Sequence, residues 1–200
     1  EPYFKKNEEI KKFALGEWHP EYAISLFNLG NLYSDMGKYK SAEFYYVKSS
    51  EIISKTLGEE HLLFSSIMNS LGILYSDMGD FISALPYYKK ALAIRKNSLG
   101  EIHPDYANSL NNLAILYHEI GDYKSAEPLL NRVTEIYKQT LGDEHPSYAS
   151  SLNNLGVLYT DMGYYKSAEL IKKQVLLSRE KSLGENHPDY ASRSEEHTSE

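Results

Sequence analysis

The 200-residue chain contains no cysteine. That excludes a disulfide framework and any thiolate metal site, and it fits a reducing, cytoplasmic setting. No apolar run approaches the roughly 18–20 residues of a membrane span, and no secretory signal opens the chain, so no membrane partner is expected. Positive charge is scarce: 21 Lys and Arg face 28 Asp and Glu, for a net charge of −7. Nucleic-acid binding calls for a basic stripe, so nucleic acid is not an expected partner. Gly-rich phosphate loops and His-Glu-x-x-His patterns are missing too. Ser and Asp are plentiful but sit in no singular constellation. The chain is not expected to be an enzyme, and no catalytic, cofactor-binding or metal-ligating residue is assigned.

What the chain does have is a period. The stretch SLGEIHPDYANSLNNLAILY from Ser98 returns 42 residues later as TLGDEHPSYASSLNNLGVLY from Thr140. The same frame opens at His19, His61 and His187. A fixed period of this size marks a stacked repeat array, in which each unit touches only its neighbours. The unit from His103 to Glu144 shows the local logic. Pro104 suits the first turn of a helix and Asp105 suits its positive end. Leu110, Leu113, Ala114, Leu116 and Tyr117 recur at helical spacing, and Gly121 ends the helix in a left-handed cap. A second helix starts near Asp122 or Tyr123, buries Tyr123, Ala126, Leu130, Val133 and Ile136, and closes at Gly142.

Small residues recur in the middle of the first helix, at Gly30, Gly72, Ala114 and Gly156, and Ala42, Ala84, Ala126 and Ala168 are the matching small residues of the second. Glycine inside a helix costs about 1 kcal/mol relative to alanine. A repeated cost implies close helix contact, with Tyr33, Tyr75, Tyr117 and Tyr159 as large partners. Pro86 and Pro128 are expected to bend their second helices locally. The fourth unit places Lys172 and Ser178 where the third has Leu130 and Ile136, which suggests that this helix is shifted, weakly packed or contacting something else, and a weak spot of the array.

This small–large helix–turn–helix pattern resembles the tetratricopeptide repeat. With LGxxHPxYAxSLNNLxxLY and GxYxSAExL it is similar to the 42-residue kinesin light chain type. The resemblance implies an all-α, right-handed superhelical solenoid of antiparallel helix pairs. Four full repeats are expected at 19–60, 61–102, 103–144 and 145–186. Residues 1–18 read as the second helix of a partial repeat, and 187–192 as the start of a truncated one. Residues 193–200 break the frame and match the in-frame translation of a common sequencing adapter, so they read as a non-native tail.

The resemblance also implies a scaffold for protein–protein interaction, with an extended peptide of a partner lying in a concave groove lined by the first helices. By register, the groove candidates are Phe27, Asn69, Asn111 and Asn153; one turn later Asn31, Ile73, Ile115 and Val157; one turn earlier Ser66, Asn108 and Ser150; and His118 near the rim. Asn suits a peptide groove because its amide both donates and accepts. The same Asn residues also suit bonds between neighbouring helices. None of the four first helices contains Lys or Arg; the basic residues sit mainly in second helices, on the outside. A neutral or basic partner segment with an apolar anchor near Ile73 and Ile115 is therefore expected. The once-per-repeat histidines are spaced too widely to share a zinc and read as loop or cap residues. Two rival readings stand beside the scaffold: a regulatory repeat region of a larger signalling protein, and an architectural array that self-associates through its ends.

Overall fold

A computed structural model describes residues 2–183. The described residues form nine α-helices and no strand: α1 (Pro2–Leu15), α2 (Pro20–Asp35), α3 (Tyr39–Thr56), α4 (Leu62–Asp77), α5 (Phe81–Leu99), α6 (Pro104–Glu119), α7 (Tyr123–Leu141), α8 (Pro146–Asp161) and α9 (Tyr165–Leu183). The principal packing is pairwise: α2 with α3, α4 with α5, α6 with α7 and α8 with α9. The helices fall into two compact units divided between Glu101 and Ile102, the first holding α1–α5 and the second α6–α9. The partial frame at 187–192, with His187, and the tail at 193–200 lie outside the described residues.

Each first helix begins at a histidine. His19, His61, His103 and His145 have extended backbones, and their Nδ1 atoms accept a hydrogen bond from the backbone N–H two residues on, at 3.1 Å in all four. Imidazole thus satisfies one of the donors that a helix start leaves open. Leu62, which replaces proline in α4, leaves that cap intact.

The turn within each pair is three residues long. In the third, Gly121 adopts φ 78°. Its N–H bonds the His118 carbonyl at 2.9 Å and the next N–H, of Asp122, bonds the Tyr117 carbonyl at 2.8 Å. This Schellman closure needs a left-handed residue, which glycine supplies without strain. Asp122 then caps α7, its Oδ1 accepting from the Ser125 N–H at 3.2 Å. Asp80 does the same for α5 with Ser83 at 3.1 Å. Both α5 and α7 continue through their prolines. The carbonyls deprived of a partner belong to Ile82 and Lys124, both exposed residues, where water can take the bond.

The small positions are filled from the second helix of the same pair. A Cβ at Gly30 would lie 2.5 Å from the Tyr46 ring, and one at Gly72 2.7 Å from the Tyr88 ring. The direct partner of the glycine is therefore this tyrosine of the second helix. Tyr33 and Tyr75 instead stack on Tyr45 and Tyr87, with centroids 5.4 Å apart in both. In the third pair both partners change together: Ala114 and Leu130 share one core cluster. In the fourth pair the second helix is shifted, one of the expected alternatives. Lys172 turns outward, and Ile171, one residue earlier, faces Gly156, whose Cβ would sit 3.3 Å from its Cγ2. Ser178 is buried but donates its hydroxyl to the Asp143 carbonyl. Among the described residues no buried side-chain polar atom lacks a partner.

Candidate functional site

In the second unit the first helices are α6 and α8, and the groove candidates line up along them at one-turn intervals. Asn108 and Ser150 are exposed. Asn108 Oδ1 nevertheless accepts a 2.6 Å bond from the Tyr137 hydroxyl of α7. One turn on, Asn154 Nδ2 donates to Asn111 Oδ1 at 2.9 Å, joining α8 to α6. Asn153 beside it is exposed. Next come two bare aliphatic side chains, Ile115 at 39% and Val157 at 44% exposure. The last step is polar again: His118 Nε2 lies 2.7 Å from Asp161 Oδ2, a second tie from α6 to α8. The apolar pair is thus framed along the helices by an amide tie and an imidazole–carboxylate tie.

In the first unit, α2 and α4 carry the equivalent rows. Phe27 is half-buried and its ring meets that of Tyr46 at 5.7 Å, so it is partly a core residue. Asn31 Oδ1 accepts the Tyr46 hydroxyl at 2.8 Å. Ser66 and Asn69 are half-buried, and Ile73 is exposed at 38%. Ser76 shares a 3.3 Å hydrogen bond with the Tyr88 hydroxyl. Burial holds the Tyr46 and Tyr88 phenols above the ordinary tyrosine range, so both are neutral here, and Tyr46 donates to Asn31. Asp35 and Asp77 are exposed at the ends of α2 and α4, as Glu119 and Asp161 are in the second unit. Among the described residues no group of His, Asp and Glu could hold a metal ion, and no helix is long and apolar enough to cross a membrane.

Family models described as tetratricopeptide repeat match residues 45–97, 63–139 and 105–181, and a second one matches 23–56. The chain belongs to the tetratricopeptide repeat family. Among curated proteins there is no match. Among solved structures it is similar to the kinesin light chain nearly identical TPR-like repeats of Podosopora anserina, at 26% identity and a TM-score of 0.75, covering 90% of this chain and 86% of that one. BtubC (BKLC) from P. vanneervenii shares the fold at 22% identity and a TM-score of 0.77, covering 94% of this chain and 75% of that one. The apo form of RapI does so at 22% identity and 0.76, over 87% of this chain and 61% of that one. The chain is an all-α helical repeat solenoid with kinesin light chain-like neighbours. Tetratricopeptide repeats generally act as protein–protein interaction modules rather than as enzymes.

Within this family frame, one contribution was missed in the first-helix rows. Tyr46, Tyr88 and Tyr137 belong to second helices, yet their hydroxyls reach the groove candidates Asn31 and Asn108 and their neighbour Ser76. The 42-residue register gave a signal: the place of Tyr137 is taken by Ile53, Arg95 and Arg179 in the other repeats, and that of Asn108 by Ile24, Ser66 and Ser150. Apolar stands with apolar, and polar with polar. Arg95 and Arg179 are half-buried.

Proposed function

We propose that the exposed face of the first helices binds an extended segment of a partner protein, neutral or basic in charge, with an aliphatic side chain as its anchor. The observation that carries this reading is the Ile115–Val157 pair. Two β-branched side chains are about two-fifths exposed on neighbouring helices whose other groove positions are polar. The ties on either side hold α6 and α8 in register, so the pair is presented on a preorganised surface. Exposed Asn153 offers a donor and an acceptor to a peptide backbone, whatever its side chains. With no Lys or Arg on α2, α4, α6 or α8 and an acidic residue at the end of each, acidic segments are disfavoured.

A peptide-display screen against the full chain tests this. Val157→Asp is the control, because that side chain is exposed and its replacement spares the core. The expected hits share an aliphatic anchor, lack acidic clusters and are lost in the control. Hits dominated by Asp and Glu, or binding that survives Val157→Asp, overturn the reading.

A further inference from the structure

The residues at the last step of the α6–α8 face break the repeat. The matching positions are Ser34, Ser76, His118 and Thr160, and only the third is ionisable near neutrality. Its side chain is 21% exposed, while that of Asp161 is 41% exposed. His118 meets three groups: Asp161 on α8 at 2.7 Å, Glu119 on its own helix at 3.9 Å from Nδ1, and the Tyr123 ring of α7, whose centroid lies 5.6 Å from its own. A neutral imidazole in this contact donates Nε2–H to Asp161 Oδ2 and leaves the carboxylate its charge and its other oxygen. A protonated imidazole sets a full positive charge between Asp161 and Glu119.

We infer that His118 is a specificity-determining residue of this face: in its neutral form it leaves Asp161 and Glu119 able to receive a lysine or arginine of the bound segment, and in its protonated form it takes that cation's place. The inference rests on the groove reading above. The apolar pair gives the cation its register. His118 follows Ile115 by three residues, a rise of about 4.5 Å along the helix. An extended chain advances about 3.3–3.6 Å per residue. For a segment laid along α6, the basic residue lies one or two residues from the aliphatic anchor. The charge balance says which ligand gains: two carboxylates and one neutral imidazole favour a cation, and protonating the imidazole removes half of that excess.

The probes are two decapeptides with a central isoleucine in a Ser/Gly background, one carrying lysine two residues to either side and the other glutamine. Both are N-acetylated and C-amidated, so neither has a group that titrates between about pH 5.5 and 8. Their affinities for the full-length protein are measured at both ends of that range. The expected preference for the lysine peptide is about two- to fivefold at the higher pH, as suits a half-exposed pair, and it shrinks at the lower. His118→Gln, whose amide still donates to Asp161 without titrating, is expected to keep the preference at both pH values. Asp161→Asn is expected to diminish it. A lysine preference that is absent, that ignores pH in the wild type, or that survives intact in Asp161→Asn, overturns the role of His118. Failure of both peptides to bind, or binding untouched by Val157→Asp, overturns the groove reading itself.

Discussion

Gly30 and Tyr46 occupy one another's space: a Cβ on the glycine would lie 2.5 Å from both Cδ1 and Cε1 of the ring. The ring has little room to retreat, because its hydroxyl donates to Asn31 Oδ1 at 2.8 Å and Tyr46 is only 2% exposed. Alanine at position 30 gains about 1 kcal/mol of helix propensity. Overpacking costs about 1–3 kcal/mol, so Gly30→Ala should be a net loss. The third repeat shows the compatible alternative, Ala114 with Leu130. In urea denaturation, Gly30→Ala and Tyr46→Leu should each destabilise. Together they should cost about 1 kcal/mol less than their sum, the coupling expected of side chains in contact. Simple additivity would show that the two positions do not share the space.

The histidine caps make a second, local prediction. His103 Nδ1 accepts from the Asp105 N–H at 3.1 Å. His103→Ala should cost about 1 kcal/mol, whereas His103→Asn should restore most of it, since Asn is among the best capping residues. Amide exchange at Asp105 is the direct readout: faster in the alanine variant, near wild type in the asparagine one. An alanine variant with unchanged exchange would remove the capping role.

Much of the fold was legible before any coordinate because the repeat states each rule several times over. Histidine, proline, glycine and the central small residue recur at one spacing, and each recurrence fixes a helix start, stop or contact. The groove candidates were less legible because the same side-chain types serve both purposes. Asn111 read equally well as a peptide contact or as a helix tie, Asn31 stood in a groove row, and the structure ties both, to Asn154 and to Tyr46. The reach of Tyr137 into the first-helix row could not be read from the first helices at all. A side chain of the second helix enters between them, and only its covariation with Asn108 along the register hinted at it.

The tyrosines predict an alkaline limb of stability. A bond to Glu43 and then burial push the Tyr75 phenol up; burial and then a bond to Glu8 do the same for Tyr22, and burial with Glu127 for Tyr159. Tyr46 and Tyr88 are raised chiefly by burial. Each folded-state value lies above the unfolded one, so this stabilisation is complete below about pH 10 and is lost as pH rises through the raised values. Ultraviolet difference spectra during alkaline titration should show these five ionising late, together with the loss of helical circular dichroism. Tyr75→Phe should flatten the limb, since no phenol remains there to ionise. Early, independent ionisation of all tyrosines would contradict the burial and the Glu43 bond.

The fourth repeat offers the sharpest test of register. By sequence spacing, Lys172 stands in the core place of Leu130, but the structure turns it to solvent and sets Ile171 against Gly156. If the helix packs this way, Ile171→Ala removes a half-buried side chain and should cost about 1–2 kcal/mol, below the range of a fully buried isoleucine. Lys172→Ala touches only the exposed face and should stay within about 0.5 kcal/mol of wild type. The rank order decides between the two registers. Were Lys172 packed by its methylene stem in the place of Leu130, its truncation would be the costly one, and Ile171→Ala the silent one. Urea denaturation of the two variants side by side reads that order directly. Gly156→Ala adds a check from the facing helix. Its Cβ would meet only a methyl group at 3.3 Å, so it should be tolerated better than Gly30→Ala, where the new atom meets a ring at 2.5 Å.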